Sequence, residues 1–321
     1  MRLILMGTGP FAVPAFRELY GTYHDIVALV TSPLRAHRGK EPAPVGIVRD
    51  LAHQHTTPIF DPEDINTPEA QEHLSEFDAD LMVVCDYGRI LAAEILATAT
   101  LGGINLHASL LPKYRGAAPI NWAIYNGETK TGVTVIHMTP KVDAGPCIAQ
   151  AETAIDPEET AVDLEKRLAE LGAWLVLRTI DALKTGKLEP LAQNPALASK
   201  APRLKKTDGL IDWSRPAAAI KNQIRAMEPW PKTYTFWRRQ DGPPMRLILG
   251  PVTVENHAEG SLPGTVLEVT DNRLLIAAGM GTIAPKSIQP VGKRLMTIDE
   301  FLRGHHVQVG DRFGIEEKDG G

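Results

Sequence analysis

The sequence predicts an α/β protein with a mostly parallel sheet in its first part and a small β-barrel in its second. Apolar residues fill positions 3–6, 26–30 and 81–85 without alternation, and helix-type segments separate these runs. Continuous apolar strands joined by helices are typical of a parallel sheet that is covered on both faces and wound by right-handed crossovers. Short β-type segments with Gly and Pro turns recur after residue 205, which is typical of a small barrel.

Apolar spacing places the remaining elements and suggests two domains. In the first part we expect helices at residues 45–54, 68–76, 89–98, 120–125 and 158–184, and strands at 104–106 and 131–140. In the second part we expect a helix at 220–227 and strands at 234–237, 245–249, 264–269, 274–277 and 281–290. Residues 185–205 are polar and broken by prolines. The predicted organisation is therefore a first domain at 1–187, a linker at 188–205 and a second domain at 206–321.

Size and composition exclude several classes of protein. The 321 residues suffice for two domains with separate cores. No apolar run approaches the roughly 18 to 20 residues that cross a bilayer, and the first residues lack a signal-peptide layout. We therefore expect a cytoplasmic protein that binds no membrane. Cys85 and Cys147 are too few for a disulfide framework, and the net charge of −5 argues against a bulk nucleic-acid coat.

A glycine turn follows the first strand and raises the possibility of a nucleotide site. Gly7, Gly9 and Ala12 match the short form of the dinucleotide-binding fingerprint. The second strand, however, ends without the acidic residue that would bind a ribose, and Pro10 removes an amide donor from the helix start. This pattern favours a turn needed for strand-to-helix geometry over an NAD site.

Asn105, His107 and Asp143 form the strongest candidate site. Asn105 and His107 are two residues apart in a predicted strand, so both side chains project from the same face. An amide and a protonated imidazole can stabilise the oxyanion formed when an amine attacks a carbonyl, and a carboxylate can orient the imidazole or accept the proton of the amine. Neither a Ser or Cys nucleophile in an elbow context nor a zinc-type spacing accompanies them. Residue types alone leave catalysis and a hydrogen-bonded structural role both open.

Residues 105–119 and 142–145, with shorter stretches elsewhere in the chain, resemble the folate-dependent formyltransferases. The resemblance implies a Rossmann-like catalytic domain that uses 10-formyltetrahydrofolate as co-substrate, followed by an OB-like barrel that assists RNA binding, with no metal and no NAD. It assigns catalysis to Asn105, His107 and Asp143. Four further residues would contact the folate: Ser109, Leu110, Leu111 and Pro112.

The partner that this resemblance implies is initiator methionyl-tRNA. The family also has members that formylate the amine of a ribonucleotide or a sugar, and members that hydrolyse the folate. All of them share the three polar residues. The branch that acts on charged tRNA is favoured by the stretches at 211–213, 229–231 and 263–266. Residues 201–250 hold ten basic and four acidic side chains, which gives a local charge of +6. This charge suits binding to an RNA backbone, and ordinary surface charge is the alternative interpretation. We expect tRNA contacts at Arg38, Lys40, Lys205 and Lys206.

We further expect a monomer that does not bind DNA.

Two departures from the family pattern lie beside the region that resembles the pterin pocket. Asp86 stands where the family usually has Ala, and Ala92 where it usually has Pro. A non-enzymatic RNA-binding module on the same fold is the alternative, and the presence of all three polar residues argues against it.

Overall fold

The computed structural model describes residues 1–34, 46–186, 188–238, 243–255 and 260–314. The chain divides into two compact units, and each is described by itself. The first contains Met1–Pro119, Lys130–Ile155 and Asp163–Pro202, and the second contains Ile120–Thr129, Asp156–Val162 and Arg203–Gly321. The second unit thus takes two short segments from the middle of the chain. The domain boundaries predicted from the sequence stay a prediction.

The first unit is built on a seven-stranded sheet in the part of the chain that the structure describes. Its strands are β1 (Arg2–Met6), β2 (Asp25–Val30), β3 (Ile59–Phe60), β4 (Leu81–Cys85), β5 (Gly103–His107), β6 (Lys130–His137) and β7 (Cys147–Ala154). Their order is β3-β2-β1-β4-β5-β6-β7. The pairs from β3 to β5 are parallel, and β6 and β7 extend the sheet in antiparallel fashion. The predicted α/β fold with a mostly parallel sheet is confirmed.

Six α-helices begin at or before residue 161: α1 (Val13–Tyr20), α2 (Ile47–Gln54), α3 (Pro68–Glu76), α4 (Ala93–Leu96), α5 (Pro119–Tyr125) and α6 (Ala161–Lys184), counted over the described residues. The predicted helix at 89–98 is shortened to α4. Asn66 accounts for the shortening, because its side chain accepts from the Ala92 amide at 2.8 Å and donates to the Ile90 carbonyl at 3.0 Å. Side-chain bonds of this kind compete with helical hydrogen bonds.

Two strands of this sheet carry no clear sequence signal. β3 has only two residues, and β7 lies at the sheet edge, where alanine and polar residues follow Cys147 and Ile148. By contrast, every residue of β4 is buried, which explains its continuous apolar sequence. Among the described residues, no helix has the length and apolar character that would let it cross a bilayer.

The second unit consists of antiparallel β-structure, two short helices from its main segment, and the part of α5 that falls within Ile120–Thr129. Its described elements are α7 (Ala217–Ala226), β8 (Tyr234–Arg238), β9 (Met245–Leu249), β10 (Val252–Glu255), β11 (Val266–Thr270), β12 (Arg273–Ala277), β13 (Thr282–Pro285), β14 (Ser287–Pro290), β15 (Met296–Thr297), α8 (Ile298–Gly304) and β16 (Arg312–Gly314). The strands form sheets in the orders β10-β13-β12-β11 and β15-β14-β9-β8-β16. Trp213, Trp237, Phe301 and Phe313 are buried in one core cluster. Closure of these sheets into an OB-like barrel stays a prediction.

Candidate active site at the end of strand β5

The end of β5 carries two polar side chains toward the carboxyl edge of the parallel strands. Asn105 pairs in register with Val84 of β4 and Ile136 of β6, and His107 pairs with Thr134 of β6. Asn105 is half-buried, and His107 is only 6% exposed. A buried imidazole requires hydrogen-bond partners, because an unpaired buried polar group costs about 1–3 kcal/mol.

Asp143, from the turn between β6 and β7, lies against both of these side chains. Its Oδ1 is 3.5 Å from Asn105 Nδ2, and its Oδ2 is 3.7 Å from His107 Nδ1. The backbone N–H of Gly116 donates to the same Oδ2 at 2.8 Å, which is the shortest of the three contacts. The structure therefore brings together all three residues that the sequence proposed as catalytic.

The orientation of the His107 ring is fixed from both sides. Its Nε2 lies 2.9 Å from the backbone carbonyl of Tyr114, and because a carbonyl only accepts, Nε2 must carry the proton of this bond. Nδ1 faces the Asp143 carboxylate. Both ring nitrogens thus face oxygen atoms of the protein, which fixes the plane and the direction of the ring.

The loop after β5 is held by a buried threonine of β6 and a glutamine of β7. Thr134 Oγ1 donates to the Ser109 carbonyl at 2.6 Å and accepts from the Leu111 amide at 3.1 Å. Gln150 Nε2 donates to the Leu111 carbonyl at 2.7 Å and to Thr134 Oγ1 at 3.0 Å. The sequence analysis missed both residues, because Thr134 resembles any β-branched strand residue and Gln150 lies on an edge strand. Their bonds fix the backbone of the segment predicted to contact the folate.

The four predicted folate residues differ in their accessibility. Ser109 is fully buried, and its hydroxyl donates to the Lys113 carbonyl at 2.7 Å. Leu111 is 5% exposed. Leu110 and Pro112 are half-buried, so they are the members of the set whose side chains remain reachable from solvent.

Gly116 supplies the amide that binds Asp143, and its position requires glycine. Its φ is +123°, and a Cβ atom added there would lie 2.5 Å from the Ala201 carbonyl oxygen. The Ala118 amide donates to the same carbonyl at 3.2 Å. The segment around residue 201, which the sequence assigns to a linker, therefore packs directly on the loop that contacts Asp143.

Asp86 lies at the carboxyl end of β4, where the strand order of the sheet reverses between β1 and β4. Such switch points are the usual ligand crevices of open α/β sheets. The Asp86 carbonyl accepts from the amide and the hydroxyl of Thr8, and a methyl group added at Gly9 would collide with the Asp86 carboxylate. Desolvation by the surrounding protein, with a smaller contribution from the charge of Glu165, raises the pKa of Asp86 to about 6. The glycine turn thus faces a carboxylate, which disfavours a phosphate there.

The predicted tRNA residues fall in two places. Arg38 and Lys40 lie outside the described residues. Lys205 and Lys206 are exposed at the start of the second unit's main segment. Arg225, counted in the same basic region, is buried and donates to the Asp156 and Glu159 carbonyls, so it holds the second unit together.

Two family comparisons cover most of the chain. Residues 1–180 match the formyl transferase family, and residues 203–306 match the formyl transferase C-terminal domain. The chain belongs to the formyltransferase family. Curated relatives over nearly the full length are methionyl-tRNA formyltransferases. That of Rhodopirellula baltica is 43% identical over 326 residues and covers 97% of this chain and 96% of the relative. That of Geobacter sulfurreducens is 39% identical over 315 residues and covers 98% and 97%.

Two solved structures share the fold of this chain. The N-formyltransferase of Helicobacter canadensis, in complex with folinic acid and dTDP-3-aminofucose, has a TM-score of 0.64 at 20% identity, over 88% of this chain and 98% of that one. HypX of Aquifex aeolicus, in complex with tetrahydrofolic acid, has a TM-score of 0.59 at 16% identity, over 94% of this chain and 46% of that one. At these identities the likeness shows the fold.

The raised pKa of Asp86 predicts a pH-dependent stability for this family member. The folded carboxyl binds its proton more tightly than the unfolded one, so its contribution to stability is lost as pH rises through about 6. Asp86 is an exposed residue, so water screens part of this effect. Asp86→Asn, which tolerates the left-handed φ of 51°, should raise the melting temperature by about 1 °C above pH 7 and change it little near pH 4.

Asp212 is the matched control, because hydrogen bonds from Ser214 lower the pKa of its carboxyl. Asp212→Asn should therefore lose stability at neutral pH and lose little in acid. An Asp86→Asn melting temperature that is unchanged, or lowered, at pH 7.5 would contradict the desolvation of Asp86.

Proposed function

We propose that this protein transfers the formyl group of 10-formyltetrahydrofolate to the free α-amino group of initiator methionyl-tRNA. The product is N-formylmethionyl-tRNA, which serves translation initiation. The observation that carries the proposal is the convergence of Asn105, His107 and the Asp143 carboxylate at the end of β5. It is supported by near-full-length relatives named methionyl-tRNA formyltransferase. We place the reaction in the cytoplasm, with the protein acting as a monomer.

The reaction needs groups that stabilise an oxyanion and a group that accepts a proton, and these side chains can supply both. The amine nitrogen attacks the formyl carbon, and the C=O electron pair moves to the oxygen to give a tetrahedral oxyanion. Asn105 donates an amide N–H to this oxygen, and a protonated His107 places positive charge beside it. The new N–C bond then persists while the bond from the formyl carbon to N10 of the folate breaks.

The protons must also be accounted for. The attacking amine loses one proton to the Asp143 carboxylate, and this proton passes, directly or through water, to N10 when the bond from N10 to the formyl carbon breaks. Asp143 is the acceptor of the amine proton in this proposal, directly or through water, because its carboxylate lies beside both Asn105 Nδ2 and His107 Nδ1. The Gly116 amide keeps one carboxylate oxygen in place during the exchange.

The folate would lie along the loop that follows β5. Leu110 and Pro112, whose side chains are half-buried, offer apolar contact to a planar ring, while Ser109 and Leu111 shape the loop from within. Neighbours of the same fold bind tetrahydrofolic acid and folinic acid, which supports this placement. Asp86 and Ala92 would border the pterin.

The second unit, as an OB-like barrel, would bind the RNA backbone. Lys205 and Lys206 are exposed, whereas several other basic residues of the region have partners within the unit. Arg215 stacks on Tyr125 at 4.5 Å from the ring centre and Arg246 stacks on Tyr234 at 4.1 Å. We therefore assign phosphate contacts first to Lys205 and Lys206, together with Arg38 and Lys40 of the basic segment after β2.

The substrate decides between this proposal and formylation of an amino sugar. Purified protein is incubated with 10-formyltetrahydrofolate and either initiator methionyl-tRNA or dTDP-linked amino sugars. We expect formyl methionine on the tRNA and no formylated sugar. Asn105→Ala is the matched control and should lose about 10²- to 10³-fold in turnover, the usual effect of one lost oxyanion donor. Formylation of a sugar nucleotide alone would overturn the proposal, and full activity of Asn105→Ala would overturn the role of Asn105.

The tRNA contact is tested by salt dependence. Replacing Lys205 and Lys206 by Ala should weaken tRNA binding and reduce the slope of log affinity against log salt by about 1 to 2, because fewer counterions are released. Arg225→Met is not a suitable probe, since Arg225 bonds within its own unit. Lys130→Ala is a suitable control, because Lys130 pairs with Glu152 on the surface of the first unit. An unchanged slope in the double variant would place the RNA contacts elsewhere.

A further inference from the structure

We propose that Gln193 is a positioning residue for the reaction, and this inference rests on the proposed function. Gln193 lies in the segment that the sequence assigns to a linker, where most neighbouring residues are exposed. Its own side chain is half-buried and turns toward the site. The structure gives it hydrogen bonds to both loops that surround the Asp143 carboxylate.

The amide of Gln193 is satisfied at each end. Its Nε2 donates to the Asp143 carbonyl at 2.9 Å and to the Gly145 carbonyl at 2.7 Å. Its Oε1 accepts from Arg115 Nε at 3.1 Å and from Arg115 Nη2 at 2.6 Å. These partners fix which end is oxygen, because a flipped amide would place its NH₂ against the guanidinium and its oxygen against two carbonyls.

The two bonds to carbonyls fix the turn that carries Asp143. Asp143 has a φ of 47°, a left-handed conformation that non-glycine residues adopt infrequently, Asp and Asn more often than the others. Gln193 holds the carbonyl of this same residue. The direction in which the Asp143 side chain leaves the backbone therefore depends on the amide of Gln193.

The bonds to Arg115 fix the opposite loop. Arg115 precedes Gly116, whose amide binds the Asp143 carboxylate at 2.8 Å. The backbone of Arg115 is also paired, since its amide donates to the Ser199 carbonyl at 2.9 Å and its carbonyl accepts from Ala201 at 2.7 Å. One side chain thus joins the loop that supplies the carboxylate to the loop that supplies its N–H partner.

The segment that carries Gln193 is itself anchored at both sides. Leu191 and Cys147 exchange backbone hydrogen bonds of 2.8 Å, which attaches the segment to β7. Ser199 Oγ accepts from the Tyr114 amide at 2.9 Å, next to the carbonyl that holds His107. Gln193 is therefore held in place at both sides of its segment and connects the two loops by hydrogen bonds. Its effect on the reaction would come through the position of Asp143.

The chemical consequence is a loss in turnover and not in substrate binding. Misplacing a reacting group by about 1 Å can reduce the rate by about 10²-fold. Gln193→Met keeps the length of the side chain and removes all four hydrogen bonds. We expect kcat to fall about 10- to 100-fold, with KM for the folate donor and for methionyl-tRNA changed by less than about 3-fold.

Two further variants separate positioning from packing. Gln193→Glu can still accept from Arg115 but would repel the two carbonyls, so it should be as impaired as Gln193→Met. Asn194→Ala is the neighbouring control: Asn194 is exposed and caps the short helix at Pro195–Leu197 by accepting from the Ala196 amide at 3.0 Å. It should retain wild-type kcat, even if its melting temperature falls slightly.

A double-mutant cycle with Asp143→Asn is the decisive experiment. If Gln193 acts through the carboxylate, Gln193→Met should cost 10- to 100-fold in the wild-type background and less than about 3-fold in the Asp143→Asn background. Equal losses in both backgrounds, or no loss in either, would overturn the proposal. Wild-type protein that formylates only another amine would contradict the proposed function alone, and the cycle would then be measured with that amine.

Discussion

The carboxylate of Asp143 is the point on which the candidate site depends. It contacts an amide, an imidazole and a backbone N–H that come from β5 and from the loop after it. Asp143 itself comes from the turn between β6 and β7, 36 residues beyond His107 in the sequence. A single charged group therefore fixes the relative position of three chain segments. It is also the group with the capacity to take the proton of the attacking amine.

The sheet topology explains why this convergence is possible. Parallel strands present their carboxyl ends at one edge, and the strand order reverses between β1 and β4, where Asp86 and the glycine turn lie. The candidate catalytic residues Asn105 and His107 lie one strand further along, at the end of β5. Because β6 and β7 are antiparallel, the turn between them can fold back toward β5 without a helical crossover. The strand-order switch point and the candidate catalytic residues are thus adjacent on one sheet edge.

The sequence allows the parallel sheet and the shared face of Asn105 and His107 to be predicted, because both follow from local periodicity. Residue types also suggested Asp143 as the third member of the site, and the family resemblance then assigned the catalytic role to all three. The Tyr114 carbonyl, Thr134, Gln150 and Gln193 escaped prediction because their bonds join residues 7 to 78 positions apart and depend on the folded backbone. The contacts made by residues 191–201 likewise could not be predicted from their polar composition, since exposed residues surround the few whose side chains turn inward.

The most direct test is the single-turnover rate of formyl transfer to methionyl-tRNA by Asp143→Asn. The substitution keeps the size of the side chain and an oxygen for the Gly116 amide, but removes the charge that orients His107 and accepts the proton. The rate should fall by about 10²- to 10⁴-fold, with melting temperature and folate-donor affinity unchanged. A rate equal to that of the wild type would contradict the account. So would a rate loss matched by equal losses of stability and donor binding, because the carboxylate would then serve only to hold the turn.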